Sequence, residues 1–338
     1  MPTISGKPVG GTGYGMMSML SDSTAVSRGS TEYSSDLTWR DTPVPDEQAF
    51  AAMKAALDSG ANFWNGGELY GKPHANSLHL LNRYFTKYPE DADKVVISIK
   101  GSLSTTKMAP DNSEKNIRRS IDECLKVLDG KKFLDLFEPA RQDPNVPLEE
   151  TMNAMAKYIE EGKLGGISLS EVTEEQIRIA EKLHKIAAVE VEMSLHTPDI
   201  LYNGVAKTCA ELEIPIVAYS PIGRGLLTAT FSKPEDISKG DIRHHLPRFR
   251  PGNMEKNAAM GQEIQKVAEA KGCTAAQVAL AWVRSYSGKE GFGTIIPIPG
   301  STTKERNIEN AVEVTLSDAE LKEIEEIMKR TEVAGNRY

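Results

Sequence analysis

The stretch Val95-Val96-Ile97-Ser98-Ile99-Lys100 is a short apolar run that ends on a charged side chain, and runs of this kind decide the fold. A second run, Asn62-Phe63-Trp64-Asn65, leads into Gly66-Gly67-Glu68-Leu69-Tyr70-Gly71. Short apolar runs bounded by polar and turn residues are typical of buried strands. Both stretches therefore predict a strand that is followed by a polar group.

Similar apolar runs alternate with amphipathic helical patterns from end to end of the chain. Eight strands that are each followed by a helix predict an α/β protein with a single (β/α)8 TIM barrel. In such barrels the active site lies at the C-terminal ends of the strands. The predicted strands are Pro8–Gly13, Asn62–Asn65, Val95–Lys100, Leu134–Ala140, Gly166–Ser170, Ala188–Glu192, Pro215–Tyr219 and Gly293–Ile298.

A doubly wound sheet is the alternative fold for alternating strands and helices. It would require a dinucleotide-binding fingerprint after the first strand. The glycine run from Gly10 to Gly15 does not fit, because Met16 stands where the third glycine of the fingerprint should be. We interpret the run as a tight strand end where the backbone approaches a ligand.

The composition limits the possible partners. The 338 residues carry a net charge of −8, which offers no overall attraction to nucleic acid or to an acidic membrane. No apolar stretch approaches the ~20 residues that span a bilayer. The three cysteines, Cys124, Cys209 and Cys273, lie far apart in helical patterns and predict buried free thiols, no metal site and a cytoplasmic protein.

Two insertions interrupt a single predicted domain that covers residues 1–338. The insertion near 18–36 is rich in Ser, Thr and Gly and follows the first strand. The insertion near 223–252 follows the seventh strand and contains Arg243, His244, His245, Arg248 and Arg250. It is either a solvated loop or a lid that contacts an anionic group. For the two adjacent histidines we prefer the solvated loop, because they lack a third metal ligand.

Tyr70 and Lys100 form a candidate pair for acid catalysis. A tyrosine has a pKa of ~10 and is a poor acid at neutral pH. A neighbouring ammonium group stabilises the phenolate and lowers that pKa. The pair would then donate a proton to a carbonyl oxygen. The alternative is a tyrosine at the barrel rim beside an unrelated surface lysine.

These residues resemble the aldo-keto reductase family over nearly the whole chain, from Gly13 to Asn310. Two segments, Trp64–Glu68 and Asp135–Arg141, are similar to the fungal pyridoxal reductases of that family. The other matching segments are Asn62–Gly71, Ser98–Gly101, Asp135–Asp143, Ser168–Glu171, Ala188–Leu195, Val217–Leu227 and Ile296–Asn310. The resemblance implies the barrel fold and the use of NADPH without a doubly wound domain.

The resemblance also implies catalytic roles. Tyr70 matches the proton donor and Lys100 the lysine that tunes it, whereas Asn65 stands where most members have an aspartate. Ala140 stands where most have a histidine, and Trp39 joins it in the predicted substrate pocket. Since no carboxylate is present at position 65, we expect Lys100 to act on Tyr70 with a less neutralised charge.

The cofactor positions follow from the same resemblance. Tyr219 matches the aromatic residue that stacks on nicotinamide, and Arg306 the arginine that binds the 2′-phosphate. A helix start rich in amide groups, with a basic side chain nearby, suits a phosphate. The remaining implied NADPH contacts are Ser168, Glu190, Ser220, Gly223, Leu226, Ser301, Lys304, Glu309 and Asn310.

The sequence thus predicts NADPH-dependent reduction of pyridoxal to pyridoxine, a reaction of vitamin B6 metabolism, with a small aldehyde as the substrate. Two alternatives remain open. One is a general aryl-aldehyde reductase. The other is an NADPH-binding regulatory subunit, which the unusual Asn65 and Ala140 permit.

Overall fold

An eight-stranded parallel sheet forms the centre of the computed structural model, which describes residues 1–19, 43–104, 109–238 and 241–338. Each strand pairs with its neighbours in chain order. A doubly wound sheet would reverse this order at a switch point, so that alternative is wrong. The strands are β1 Tyr14–Gly15, β2 Phe63–Gly67, β3 Val96–Gly101, β4 Leu134–Pro139, β5 Leu164–Ser170, β6 Ile186–Glu192, β7 Ile216–Tyr219 and β8 Ile295–Pro297.

The two outer strands of the sheet approach each other. The Gly13 N–H donates to the Pro297 carbonyl at 2.9 Å, and the Gly15 N–H donates to the Pro299 carbonyl at 3.1 Å. An isolated parallel bridge joins Gly15 and Gly300. The sheet is therefore strongly curled, in agreement with the predicted barrel.

The first strand was predicted in the wrong place. Lys7–Pro8 pairs with Thr3–Ile4 in an antiparallel hairpin, and the sheet begins only at β1. Val9 is fully buried with Ile4 in a cluster that also contains Phe63 and other residues from the beginnings of the sheet strands. The apolar character of Val9 thus reflects the closure of the sheet's N-terminal end, which a strand pattern does not distinguish.

Ten α-helices in the described residues surround the sheet. The spacing from Thr173 to Gln176 and from Ser317 to Glu320 predicts capping boxes, and both are present. The helices are α1 Asp46–Asp58, α2 Ser77–Lys87, α3 Glu114–Leu128, α4 Leu148–Glu160, α5 Glu174–Leu183, α6 Val205–Glu211, α7 Asn253–Lys271, α8 Ala275–Arg284, α9 Lys304–Ala311 and α10 Asp318–Arg330.

The inner face of the sheet changes from apolar to polar along each strand. Its N-terminal layer is the buried cluster that contains Phe63, Leu136 and Ala188. Side chains on one face recur every second residue, so the next layer carries polar groups from the same strands. These are Asn65, Glu138 and Glu190, all buried.

The two insertions differ in what the structure describes. Trp39 and most of the 18–36 segment lie outside the described residues. The 223–252 segment has short 3₁₀ helices that enclose a small core of Leu226, Ile237, Phe249, Met254 and Ala258. Arg243 pairs with Asp241 at 2.6 Å, and Arg248 donates to Thr197 at 2.7 Å. These two arginines therefore help to hold the loop in place.

Within the described ranges, no helix is long and apolar enough to cross a bilayer. The same residues contain no group of three His, Cys, Asp or Glu that could hold a metal ion. All three cysteines are free. Cys124 and Cys209 are buried as predicted, but Cys273 lies in the turn between α7 and α8 and is only partly buried.

Candidate active site

Five side chains from five strands converge where the sheet's inner face becomes polar. Lys100 donates a hydrogen bond to Glu190 Oε1, and its Nζ lies 3.2 Å from Glu138 Oε1. The Asn65 amide donates to Glu190 Oε2 at 2.6 Å and to Glu138 Oε1 at 3.3 Å. The Ser168 hydroxyl donates to Glu138 Oε2 at 2.9 Å. Lys100 is thus enclosed by two carboxylates.

Tyr70 reaches this cluster from the loop after β2. The loop is fixed because the Glu68 N–H donates to the Lys100 carbonyl at 2.9 Å, while the Glu68 carboxylate accepts a hydrogen bond from Arg119 at 2.9 Å. A Cβ atom at Gly67 would lie 3.3 Å from two Tyr70 ring carbons. A larger residue at position 67 would therefore push the Tyr70 ring away from β3.

The pKa of Tyr70 is raised to about 12 because the ring is buried. Lys100 lowers the pKa by its charge and by a hydrogen bond, whereas Glu190 and Glu138 raise it. Lys100 thus lowers the pKa of Tyr70 as predicted, but burial outweighs this effect. Tyr70 is a neutral, fully protonated acid at physiological pH, and Lys100 is adjacent to the phenolate that forms when it donates.

The expectation of a less neutralised Lys100 was wrong. Burial alone would lower the pKa of Lys100, but Glu138 and Glu190 hold it well above the ordinary value of a lysine. Burial and the charge of Glu138 raise the pKa of Glu190 well above its usual range. Two close carboxyl groups in a buried site favour one shared proton. Glu138 accepts hydrogen bonds from Asn65 and Ser168, so its carboxyl oxygens have partners inside the barrel.

Ala140 and its neighbour Arg141 stand at the end of β4. Ala140 is buried, and the Arg141 guanidinium donates to the Ala140 carbonyl at 2.6 Å. The same guanidinium lies 5.3 Å from the Tyr338 ring centroid, and Tyr70 and Tyr219 are among its electrostatic neighbours. A cation therefore stands beside the position where the family histidine is missing.

Tyr219 ends β7 on the other side of the cluster. Its ring centroid lies 5.9 Å from Lys100 Nζ, and its hydroxyl is 2.8 Å from the Tyr338 hydroxyl. In the following loop, Ser220 and Gly223 adopt positive φ angles of 50° and 59°. The predicted contact Leu226 is instead buried in the loop's own core.

The predicted phosphate site lies at the start of α9. Thr303 caps the helix by accepting from the Arg306 N–H at 3.4 Å, and Lys304 and Arg306 are both exposed. Ser301 is buried, and its hydroxyl donates to the Thr303 carbonyl at 3.2 Å. Glu309 accepts from Thr274 at 2.7 Å, while Asn310 is buried in the last turn of α9. The five predicted contacts thus lie on α9 and on the segment that leads into it. They are Ser301, Lys304, Arg306, Glu309 and Asn310.

Ser170 was missed as a candidate for the nicotinamide end of the cofactor. The Ser168 hydroxyl is already bound to Glu138 and lies 3.1 Å from the Ala188 carbonyl. Ser170 is two residues nearer the C-terminal end of β5, and its buried hydroxyl lacks a hydrogen-bond partner among the described residues. An unpaired buried hydroxyl is costly, so a ligand amide is a suitable partner for it.

Glu138 and Arg141 are two further residues whose importance is visible only in the structure. Glu138 lies two residues before Ala140 and so shares its side of β4, but only the structure shows that it meets Lys100. Arg141 gave no signal beyond its place after Ala140. The surroundings of both side chains are set by residues far away in the sequence, Lys100 for Glu138 and Tyr338 for Arg141.

The chain belongs to the aldo/keto reductase family, whose model matches residues 34–329. It is 37% identical to "Probable pyridoxal reductase 2" of Schizosaccharomyces pombe, over 100% of this chain and 97% of that protein. It is 36% identical to "Putative pyridoxal reductase" of Saccharomyces cerevisiae, over 97% of this chain and 95% of that one.

A solved structure supports the fold. The glycerol dehydrogenase of Gluconobacter oxydans matches with a TM-score of 0.77, over 96% of this chain and 93% of that chain. The sequence identity is 21%, so this likeness concerns the fold alone.

Proposed function

We propose that the protein is an NADPH-dependent pyridoxal reductase, built as one (β/α)8 barrel domain over residues 1–338. The observation that carries the proposal is Tyr70, a protonated acid that follows the C-terminal end of β2 and is held against the Lys100 ammonium near the C-terminal end of β3. The names of the fungal relatives supply the substrate. The cytoplasmic location stays a prediction.

The residues present fit NADPH. Ser170 has a buried hydroxyl without a partner in the described residues, and Tyr219 is partly exposed beside Lys100, as a stacking platform requires. Both oxygens of Glu190 accept hydrogen bonds from the protein, which makes Ser170 a better partner for the nicotinamide amide than Glu190. Arg306 and the amides at the start of α9 suit the 2′-phosphate.

The protein's own groups would handle the proton. NADPH, when bound, supplies the hydride to the carbonyl carbon. Tyr70 then donates its hydroxyl proton to the oxygen that becomes the alcohol, which is general acid catalysis. Lys100 stabilises the resulting phenolate by its charge. The barrel interior excludes water, which strengthens that attraction.

Pyridoxal is a suitable substrate for a site that has Ala140 where the resemblance implies a histidine. Its ring hydroxyl lies ortho to the aldehyde and can donate a hydrogen bond to the aldehyde oxygen. Ala140 leaves room for this crowded ring, and the Arg141 guanidinium beside it can donate a hydrogen bond to the hydroxyl oxygen while that hydroxyl donates to the aldehyde. The substrate would therefore supply part of the polarisation that a histidine gives elsewhere.

A direct assay tests the function. NADPH consumption is measured with pyridoxal, pyridoxal phosphate and simple aryl aldehydes. We expect turnover with pyridoxal to exceed that with the others. Comparable rates on all aryl aldehydes would favour the general reductase, and NADPH binding without turnover of any aldehyde would favour the regulatory subunit.

Replacing Arg306 with Ala is expected to raise the Kd for NADPH by about ten- to a hundredfold, since a charged hydrogen bond contributes ~1.5–3 kcal/mol. NADH binding should hardly change because NADH lacks the 2′-phosphate. Fluorescence titration of both cofactors measures the effect. Arg330→Ala is the control, because Arg330 is an exposed arginine on α10 that pairs with Glu263. Equal weakening of both cofactors by Arg306→Ala would contradict the assigned role.

The wild type is expected to prefer pyridoxal to pyridine-4-carbaldehyde by about ten- to a hundredfold in kcat/KM, because one hydrogen bond near the reacting oxygen is worth ~1–3 kcal/mol. Ala140→His should reverse this order, since the imidazole aids the plain aldehyde and crowds the ring hydroxyl. Steady-state kinetics give kcat/KM for both aldehydes in the wild type and in Ala140→His. An equal change for the two substrates would rule out polarisation by the substrate.

A further inference from the structure

The acidic groups around Lys100 stand in unexpected places. Position 65, where most of the family has an aspartate, holds an amide, and the carboxylates come instead from β4 and β6. Lys100 is in contact with both Glu138 and Glu190, and all three side chains are buried. The charge that would normally accompany the catalytic lysine is therefore present, but on other strands.

Asn65 is suited to this arrangement. Its amide N–H₂ donates to both carboxylates, at 2.6 Å to Glu190 and 3.3 Å to Glu138. An aspartate at this position would have no hydrogen to donate and would place a third carboxylate beside one ammonium. Asn65 and the two glutamates are thus interdependent, because the amide supplies the hydrogens that both carboxylates accept.

The charges indicate how many protons the cluster holds. Lys100 contributes +1, and two ionised glutamates would leave an uncompensated negative charge in a buried site, which is costly. The charged and titratable groups that face Glu190 are Glu138, Lys100 and, beyond them, Tyr70. One proton shared by the two carboxyl groups makes the cluster neutral, as an aspartate and lysine pair would be.

We propose that Glu138 and Glu190 are positioning residues that act as one unit, holding one proton between them and fixing the Lys100 ammonium against Tyr70 in place of a carboxylate at position 65. This proposal rests on the proposed reductase function. The pair does not touch the substrate and acts only through Lys100.

The first test needs no turnover. Infrared difference spectra at neutral pH should show the band of a protonated carboxyl group in the wild type. Glu190→Gln and Glu138→Gln should each abolish it, because the remaining carboxylate balances Lys100 alone. Glu192→Gln is the matched control on the same strand, since Glu192 is equally buried but pairs with Arg224 at 2.9 Å. The Glu192→Gln variant should keep the band. Absence of the band in the wild type would show that the two glutamates do not share a proton.

The second test measures kcat in variants that remove the carboxylates at positions 138 and 190 and then place one at position 65. Each single Gln variant should lower kcat less than the double variant does, because one carboxylate remains beside Lys100. Glu138→Gln combined with Glu190→Gln should lower kcat by about ten- to a hundredfold, part of the general-acid contribution, with NADPH affinity little changed. Adding Asn65→Asp to this double variant should restore most of the loss, because it returns a carboxylate to Lys100.

The two tests distinguish a failure of this proposal from a wrong assignment of the substrate. The kinetic series is run with whichever aldehyde the wild type reduces, so failure with pyridoxal alone corrects the substrate and leaves the series intact. If no aldehyde is reduced, or the double variant does not fold, the infrared result decides. Asn65→Asp on its own should impair the enzyme, since it crowds three carboxylates. Absence of rescue in the triple variant would show that the glutamates do not position Lys100.

Discussion

Replacing Tyr70 with Phe is expected to lower kcat for aldehyde reduction by about 10²- to 10⁴-fold, the usual contribution of a positioned general acid. The Kd for NADPH should stay within a few-fold, because the hydroxyl acts on the substrate oxygen in the transition state and the cofactor is held by other residues. Single-turnover kinetics and a fluorescence titration of NADPH measure the two quantities separately.

Tyr84→Phe is the matched control for the loss of a buried hydroxyl. Tyr84 is fully buried, and its hydroxyl donates to Asp91 at 2.9 Å, between the helices and the sheet. This variant should lose some stability and keep its kcat. If Tyr70→Phe retained wild-type turnover, Tyr70 would not be the proton donor, and Arg141 would be the next residue to test.

Replacing Lys100 with Met is expected both to abolish most of the activity and to destabilise the fold by roughly 3–5 kcal/mol, the typical cost of leaving a buried ion pair without one partner. Tyr70 loses the charge that stabilises its phenolate, and Glu138 and Glu190 lose their counter-ion. Urea unfolding gives the free energy of unfolding, and kcat is measured on the folded protein.

The destabilisation in Lys100→Met should grow with pH. Burial and Glu138 already raise the pKa of Glu190, and removal of the ammonium raises that pKa further. A carboxyl group whose pKa is higher in the folded than in the unfolded state supports folding below its unfolded pKa. This support is lost as the pH rises through the folded value. The variant should therefore be relatively more stable at pH 5 than at pH 8.

Lys132→Met provides the comparison. Lys132 is equally buried and lies 2.8 Å from Asp135, near the N-terminal end of β4. Asp135 keeps Lys7 as a second partner at 2.6 Å, so the loss of stability should be smaller and kcat should not change. A similar loss of kcat in both variants would mean that Lys100 acts through stability alone.

The sequence predicted the strands correctly where an apolar run had a single structural cause. Seven of the eight predicted strands overlap the strands of the sheet, because a buried parallel strand leaves a continuous apolar run that ends at a polar residue. The first strand was misplaced, since Pro8–Gly13 is apolar and glycine-rich for a different reason. Its Val9 covers the N-terminal end of the sheet.

By itself the sequence determined the order of strands and helices and the placement of Tyr70 and Lys100 near the ends of neighbouring strands, because these follow from periodicity along the chain. The family was indicated separately, by the resemblance of its motifs. Only the tertiary structure decided the electrostatics of the site. Asn65 and Glu190 are 125 residues apart and meet only because the curled sheet directs the same layer of β2, β3, β4 and β6 inwards. Burial and this meeting raise the pKa of Tyr70 and give Lys100 two acidic partners, and neither is encoded in a local pattern.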